Sequence, residues 1–143
     1  MLLEEVINTL ENSNVEKVLE LLSYLNDVFE SYNKNIEYFK EIVTILINYG
    51  INQSNSGIKE KVFDTLSRAA AFKDIDDIDL NLIENNLDNL PVKCLVSAIS
   101  ILGFSHKEKY LPILRKYCNH NDKYVISEAL TAISEVEDYL AGL

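Results

Sequence analysis

The chain has 143 residues, 48% of them hydrophobic, with only four Gly, two Pro and two Cys, which suits one ordered domain with a substantial core and excludes a linker-rich or disulfide-framed scaffold. Its net charge of -10, from 23 acids against 13 bases, repels phosphate backbones, so direct nucleic-acid binding is disfavoured and a basic partner is favoured, although acidity also serves simple solubility. No apolar run approaches the roughly 20 residues that cross a bilayer, and Met1-Leu2-Leu3-Glu4-Glu5 places two acids where a secretory leader has its basic region, so a cytoplasmic protein without a membrane partner is expected.

Leu2, Leu3, Val6, Ile7 and Leu10 recur at helical spacing and predict a short amphipathic helix over 2–11. Asn12-Ser13-Asn14 breaks it. Ser13 with Glu16 three residues on has the form of a capping box for a second helix, whose apolar face runs through Val18, Leu22, Leu25 and Phe29 to Tyr32. After Asn33-Lys34-Asn35, with Asn35 as cap, a third helix carries Ile36, Phe39, Ile42, Val43, Leu46 and Ile47, and Gly50 suits a left-handed stop. The β-branched run from Ile42 to Ile47 raises a strand as an alternative; length and the surrounding spacing favour helix.

A polar loop over 51–57 leads into a helix over about 57–72, and the segment 73–79 then places Asp74, Asp76, Asp77 and Asp79 within six residues. Asp79 can cap a short helix over 80–88 that turns Leu80, Ile83 and Leu87 inward. A helix begins near Pro91, where the missing N–H costs nothing, and stops at Gly103. Ser105 can cap a helix over about 106–118, with Pro112 deep enough to force a kink or a delayed start. The last helix covers roughly 123–139.

One pattern occurs three times in the second half. From Asn55 the offsets 3, 4, 7, 10, 11 and 14 give Ile58, Lys59, Val62, Thr65, Leu66 and Ala69; from Asp88 they give Pro91, Val92, Leu95, Ala98, Ile99 and Leu102; from Asp122 they give Val125, Ile126, Ala129, Ala132, Ile133 and Val136. The starting points lie 33 and 34 residues apart. A period of this size signals stacked helical pairs that bury their apolar faces against neighbours. The pattern, with Ala98-Ile99-Ser100-Ile101-Leu102-Gly103 and Asp122-Lys123-Tyr124-Val125 at its centre, resembles HEAT and HEAT-like repeats over about 55–137. The basic residue usual after the first apolar position is kept only as Lys59, with Val92 and Ile126 in the other units, which departs from the Asp–Arg ladder of such repeats.

The resemblance implies an all-α, α-α superhelix of about eight helices, one helical-repeat domain over 1–143. Residues 1–54 would form divergent N-terminal helices and 55–143 three HEAT-like units. It also implies inner helices that line a protein-binding surface, and it carries over no catalytic residues. On that reading Glu60, Asp64 and Ser67, then Lys93, Ser97 and Ser100, then Ser127, Thr131 and Ser134 line the binding face, with the loop acids Asp74, Asp76, Asp77 and Asp79 as a second contact for a basic partner. Each set is also what a solvated helix face or loop would show, and for the loop acids ordinary solvation is the favoured account.

Cys94, His106, Cys118 and His120 are the soft metal ligands present, and four is the number for structural zinc. Only Cys118 and His120 are close in sequence, and neither Cys has a flanking motif of a nucleophile. The acids of 74–79 lack the calcium-loop spacing, and eight Tyr with no Trp suit core and interface packing. No cofactor, metal or catalytic site is expected. The chain is similar in size, acidity and fold to bacterial immunity proteins that neutralise toxins, so a non-enzymatic binder of a basic toxin, such as a nuclease, is the leading expectation. An adaptor or assembly factor and a lyase-like HEAT-related enzyme are the alternatives.

Overall fold

In the computed structural model, which describes residues 1–12 and 14–142, the chain runs α1 (Leu2–Glu11), α2 (Val15–Glu30), α3 (Phe39–Asn52), α4 (Ser56–Phe72), α5 (Asn81–Glu84), α6 (Val92–Phe104), α7 (Leu111–Tyr117) and α8 (Lys123–Ala141). Single 3-10 turns at Leu87–Asn89 and Glu108–Tyr110 precede α6 and α7. Among the described residues there is no strand. The chain is therefore all-helical, and the run from Ile42 to Ile47 is helix because Ile42, Val43, Leu46 and Ile47 recur on one buried stripe. That burial outweighs the mild helix aversion of β-branched side chains.

Short polar side chains start the long helices. Asn14 accepts the Lys17 N–H at 3.1 Å, Asn55 the Ile58 N–H at 3.0 Å, and Asp122 the N–H groups of Tyr124 and Val125 at 2.8 and 3.2 Å. Each such cap satisfies a backbone donor that the helix cannot, at about 1 kcal/mol. The expected cap at Ser13 lies outside the described residues.

Three expectations about boundaries need correction. Asn35 does not start α3: its N–H is taken by Asn33 Oδ1 at 3.0 Å, a local bond that competes with helix. The helix begins instead at Phe39, after Tyr38 in the left-handed region at φ 59°. Gly50 and Gly103 stop nothing; both lie inside helices with negative φ. Their role is spatial, since a Cβ on Gly50 would sit 2.9 Å from Val62 Cγ1 and one on Gly103 2.7 Å from Ala132 Cβ. Ser105 does not cap a following helix. It ends α6, buried, with its hydroxyl donating to Leu102 O at 2.6 Å, and α7 starts late, with Pro112 in its first turn. Asp88 sits in the 3-10 turn before α6 and accepts the Tyr117 hydroxyl at 2.6 Å.

The three copies of the pattern fall on α4, α6 and α8. Offsets 7, 10 and 14 are buried in all three: Val62, Leu95 and Ala129; Thr65, Ala98 and Ala132; Ala69, Leu102 and Val136. The recurring positions are thus core positions, and their small members let helices approach closely. Helices α2, α4, α6 and α8 pack each against the next, while α1 packs on α2 and α3, α3 on α4 and α5, and α7 on α8. The buried side chains form one connected cluster from Val6 to Val136.

Polar bonds fix the stacking at its margins. Thr65 Oγ1 donates to Asn26 Oδ1 at 2.7 Å across α4 and α2, and Arg68 spans Glu30 of α2 and Asp64 of its own helix, each at 3.1 Å. Lys59, the one basic residue kept from the repeat pattern, meets no acid there. Its ammonium donates to Ile51 O at 2.9 Å at the end of α3, where the unsatisfied carbonyls and the negative end of the helix dipole hold a cation. Among the described residues no helix is long and apolar enough to cross a membrane.

Candidate functional site

The small residues that bring α6 and α8 together also open a groove between them. Gly103 and Ala132 form its floor, because neither carries a side chain long enough to fill the space above the contact. The groove has a volume of about 260 Å³, and Ser100, Thr131, Ser134, Glu128, Glu135 and Asp138 stand along it. Its acids come from α8 at spacings of 7 and 3 residues, Glu128 to Glu135 to Asp138, which keeps them on one helix face. Phe104 closes the end nearest the α6–α7 turn.

Beyond Phe104 and Glu135, which line both, lies a second depression of about 360 Å³. The end of α4, the segment 73–76, the α6–α7 turn and α8 surround it. Asp74 and Asp76 face it, and so do the rings of Phe72, His106 and Tyr139. His106, at φ 58°, stacks flat on Tyr139 with centroids 4.2 Å apart and planes 9° from parallel. Its Nε2 lies 3.9 Å from Glu135 Oε1. Phe72 is 55% exposed and Tyr139 42%, so the depression presents apolar ring surface and carboxylate together.

The residues expected at the binding face divide accordingly. Ser100, Thr131 and Ser134 meet in the groove, and Asp74 and Asp76 meet in the depression beside it. The others are not brought together with them. Asp64 is paired with Arg68, whose guanidinium its hydrogen bond pushes up from the usual value. Ser67 donates to Asp64 O, and Ser127 lends its carbonyl to the Thr131 hydroxyl. Glu60 and Ser97 are half-buried and Lys93 is exposed, all outside the groove. Asp77 is exposed to solvent, and Asp79 lines a different depression, with Asn48 and Asn85.

Sequence reasoning missed Phe72, Phe104, Glu128, Glu135, Asp138 and the His106–Tyr139 stack. The helical spacing of the α8 acids was a usable signal for three of them. The stack had none, because it depends on the left-handed turn at His106.

The groups that could carry chemistry are engaged structurally. Burial raises the Cys94 thiol, an effect that suppresses the nucleophilic thiolate. Cys118 Sγ donates to Leu114 O at 3.7 Å, and His120 Nδ1 accepts the Asp122 N–H at 3.0 Å. Asp74 Oδ1 and Asp79 Oδ1 each accept a backbone N–H two residues on, at 2.9 and 2.8 Å, as loop-forming acids do. Among the described residues no three His, Cys, Asp or Glu side chains are placed to hold one metal ion. The arrangement is a recessed, acidic and partly aromatic surface. Comparison of the chain with protein-family models, with curated proteins and with solved structures gave no match.

Proposed function

We propose that this chain is a non-enzymatic, cytoplasmic binding protein built as a HEAT-like α-α superhelix, and that it grips a basic protein through the groove between α6 and α8. The observation that carries the reading is the joining of Glu128, Glu135 and Asp138 with Asp74 and Asp76 into one recessed acidic surface edged by exposed rings. Its location on adjacent even-numbered helices accords with a stacked-repeat scaffold. Both cysteines are free, which fits a reducing compartment.

The specific form of the proposal is an immunity protein that neutralises a cognate toxin. A nuclease toxin must present a basic face to its own substrate, and an acidic inhibitor that covers this face blocks access to it. The test is capture of partners from the native cell at about 0.1 M and about 1 M salt, where the screening length falls from about 10 to about 3 Å. Retention of a basic protein at low salt, its release at high salt, and loss of its toxic activity on addition of equimolar chain are the expected results. Retention of a basic protein whose activity is untouched moves the reading to an adaptor; a neutral or acidic partner, or binding indifferent to salt, overturns the acidic-surface model.

A further inference from the structure

We infer that the depression beside the groove is an arginine-binding pocket, which takes one guanidinium side chain from the basic partner. The inference rests on the reading of the chain as a binder of a basic protein, and it deepens that reading by naming the anchor.

Three observations converge on it. The first is the aromatic lining: Phe72, 55% exposed, and Tyr139, 42% exposed with one face covered by His106, border one opening, and Phe104 and His106 are half-buried beside them. Aromatic faces attract cations. The second is charge. Asp74, Asp76 and Glu135 line the same depression, and so do Ala70 and Ala71 from the last turn of α4, where the helix dipole presents its negative end. Lys73 lines it too, with its ammonium donating to Ser31 O at the end of α2, so three carboxylates stand against one ammonium there.

The third is size and continuity. About 360 Å³ lies at the low end of ligand pockets, room for one long side chain rather than for a secondary-structure element. Phe104 and Glu135 border both the depression and the groove, so a segment lying along α6 and α8 passes its mouth.

Arginine fits this chemistry better than lysine. A guanidinium is planar, stacks on ring faces, is weakly hydrated and forks onto carboxylates, whereas an ammonium is a strongly hydrated point charge.

The experiment titrates the isotope-labelled chain with the capped tripeptide acetyl-Gly-Arg-Gly-amide, and with its lysine, citrulline and leucine counterparts, and follows backbone amide shifts. The expected result is millimolar binding of the arginine peptide, with shifts concentrated at Phe72 to Asp76, Phe104 to His106 and Glu135 to Tyr139. Lysine should respond more weakly and citrulline and leucine hardly at all. Tyr139→Leu and Asp74→Asn, both at exposed positions, should each weaken the arginine peptide roughly three- to tenfold while the remaining spectrum stays in place. A citrulline or leucine response equal to that of arginine, or shifts confined to other surfaces, overturns the inference. Unchanged affinity of the Tyr139→Leu, Asp74→Asn double variant for a captured protein partner also overturns the anchor and leaves the acidic-groove reading standing. Failure to capture any basic protein sinks that reading instead, and the peptide response still decides the pocket.

Discussion

A methyl group on Gly103 would lie 2.7 Å from the Cβ and 2.9 Å from the Cα of Ala132, so α6 and α8 touch at a distance that only glycine permits. Gly103→Ala should therefore destabilise the protein, even though alanine favours a helix interior by about 1 kcal/mol over glycine. The clash is with a backbone carbon and the atom attached to it, which move only if the helix moves, and overpacking of this kind costs about 1–3 kcal/mol. A net loss of about 1–2 kcal/mol follows, read as a fall of several degrees in Tm. Gly50→Ala provides the comparison. Its tightest neighbour is the side-chain methyl Val62 Cγ1 at 2.9 Å, which can yield by a few tenths of an ångström, so its loss should be smaller. A Gly103→Ala protein that melts no lower than wild type would show that the two helices do not meet as described.

These two glycines mark what the sequence could and could not reveal. The periodicity of apolar residues located every long helix, because burial of one face is a local pattern. The purpose of Gly50 and Gly103 was misread, because glycine before a polar stretch signals a helix end in one dimension, whereas here the missing Cβ serves a helix elsewhere in the chain. Asp88 shares its offset with the capping Asn55 and Asp122, yet Pro91 lets α6 start without a cap, and its carboxylate turns to Tyr117. Within the candidate site, Ser100 and Thr131 were legible from the repeat offsets. The aromatic depression was not, since it gathers residues 72–76, 104–106 and 135–139 from three separate segments.

The bond from Tyr117 to Asp88 makes an acid-range prediction. That bond first, and Lys116 second, hold the Asp88 carboxyl below its usual range. A carboxyl depressed in the folded state contributes stability that is present above its unfolded pKa and is lost as pH falls through the folded value. Tyr117→Phe should lower stability by about 1 kcal/mol near neutral pH, and the gap from wild type should close as pH drops below about 4. Melting both proteins between pH 7 and pH 3 checks this; a gap that stays constant would mean the bond is not strengthened by charge.

At the alkaline end two buried tyrosines make stability depend on pH. Burial, then Glu84 and Asp79, push the Tyr110 phenol up to about 12, and burial with the Asp88 bond raises Tyr117 as well. A phenol raised in the folded state leaves stability intact below the unfolded value near 10 and erodes it as pH rises through the folded value. Each tyrosine contributes at most about 1.4 kcal/mol per pH unit. Urea midpoints should fall between pH 10 and pH 12, and Tyr110→Phe should fall less steeply than wild type across that window. Parallel curves would show that Tyr110 ionises as freely folded as unfolded.

Glu128 and Asp138 offer the cleanest separation of binding from folding. Both stand on the groove side of α8, and neither has an ion-pair partner among the described residues. Reversing them together, Glu128→Lys with Asp138→Lys, should change stability by no more than about 1 kcal/mol, the scale of surface substitutions. For a basic partner, however, two attractive charges become repulsive at a recessed surface where water screens them less than on an open face. Capture at about 0.1 M salt should fall at least tenfold, mainly through slower association, and the difference from wild type should shrink at about 1 M. The same pair of substitutions leaves the ring surface of Phe72 and Tyr139 untouched, so a partner held chiefly by apolar contact would bind the variant as well as the wild type. That result would move the contact away from the acidic groove, whereas a salt-dependent loss would assign the grip to the α8 acids.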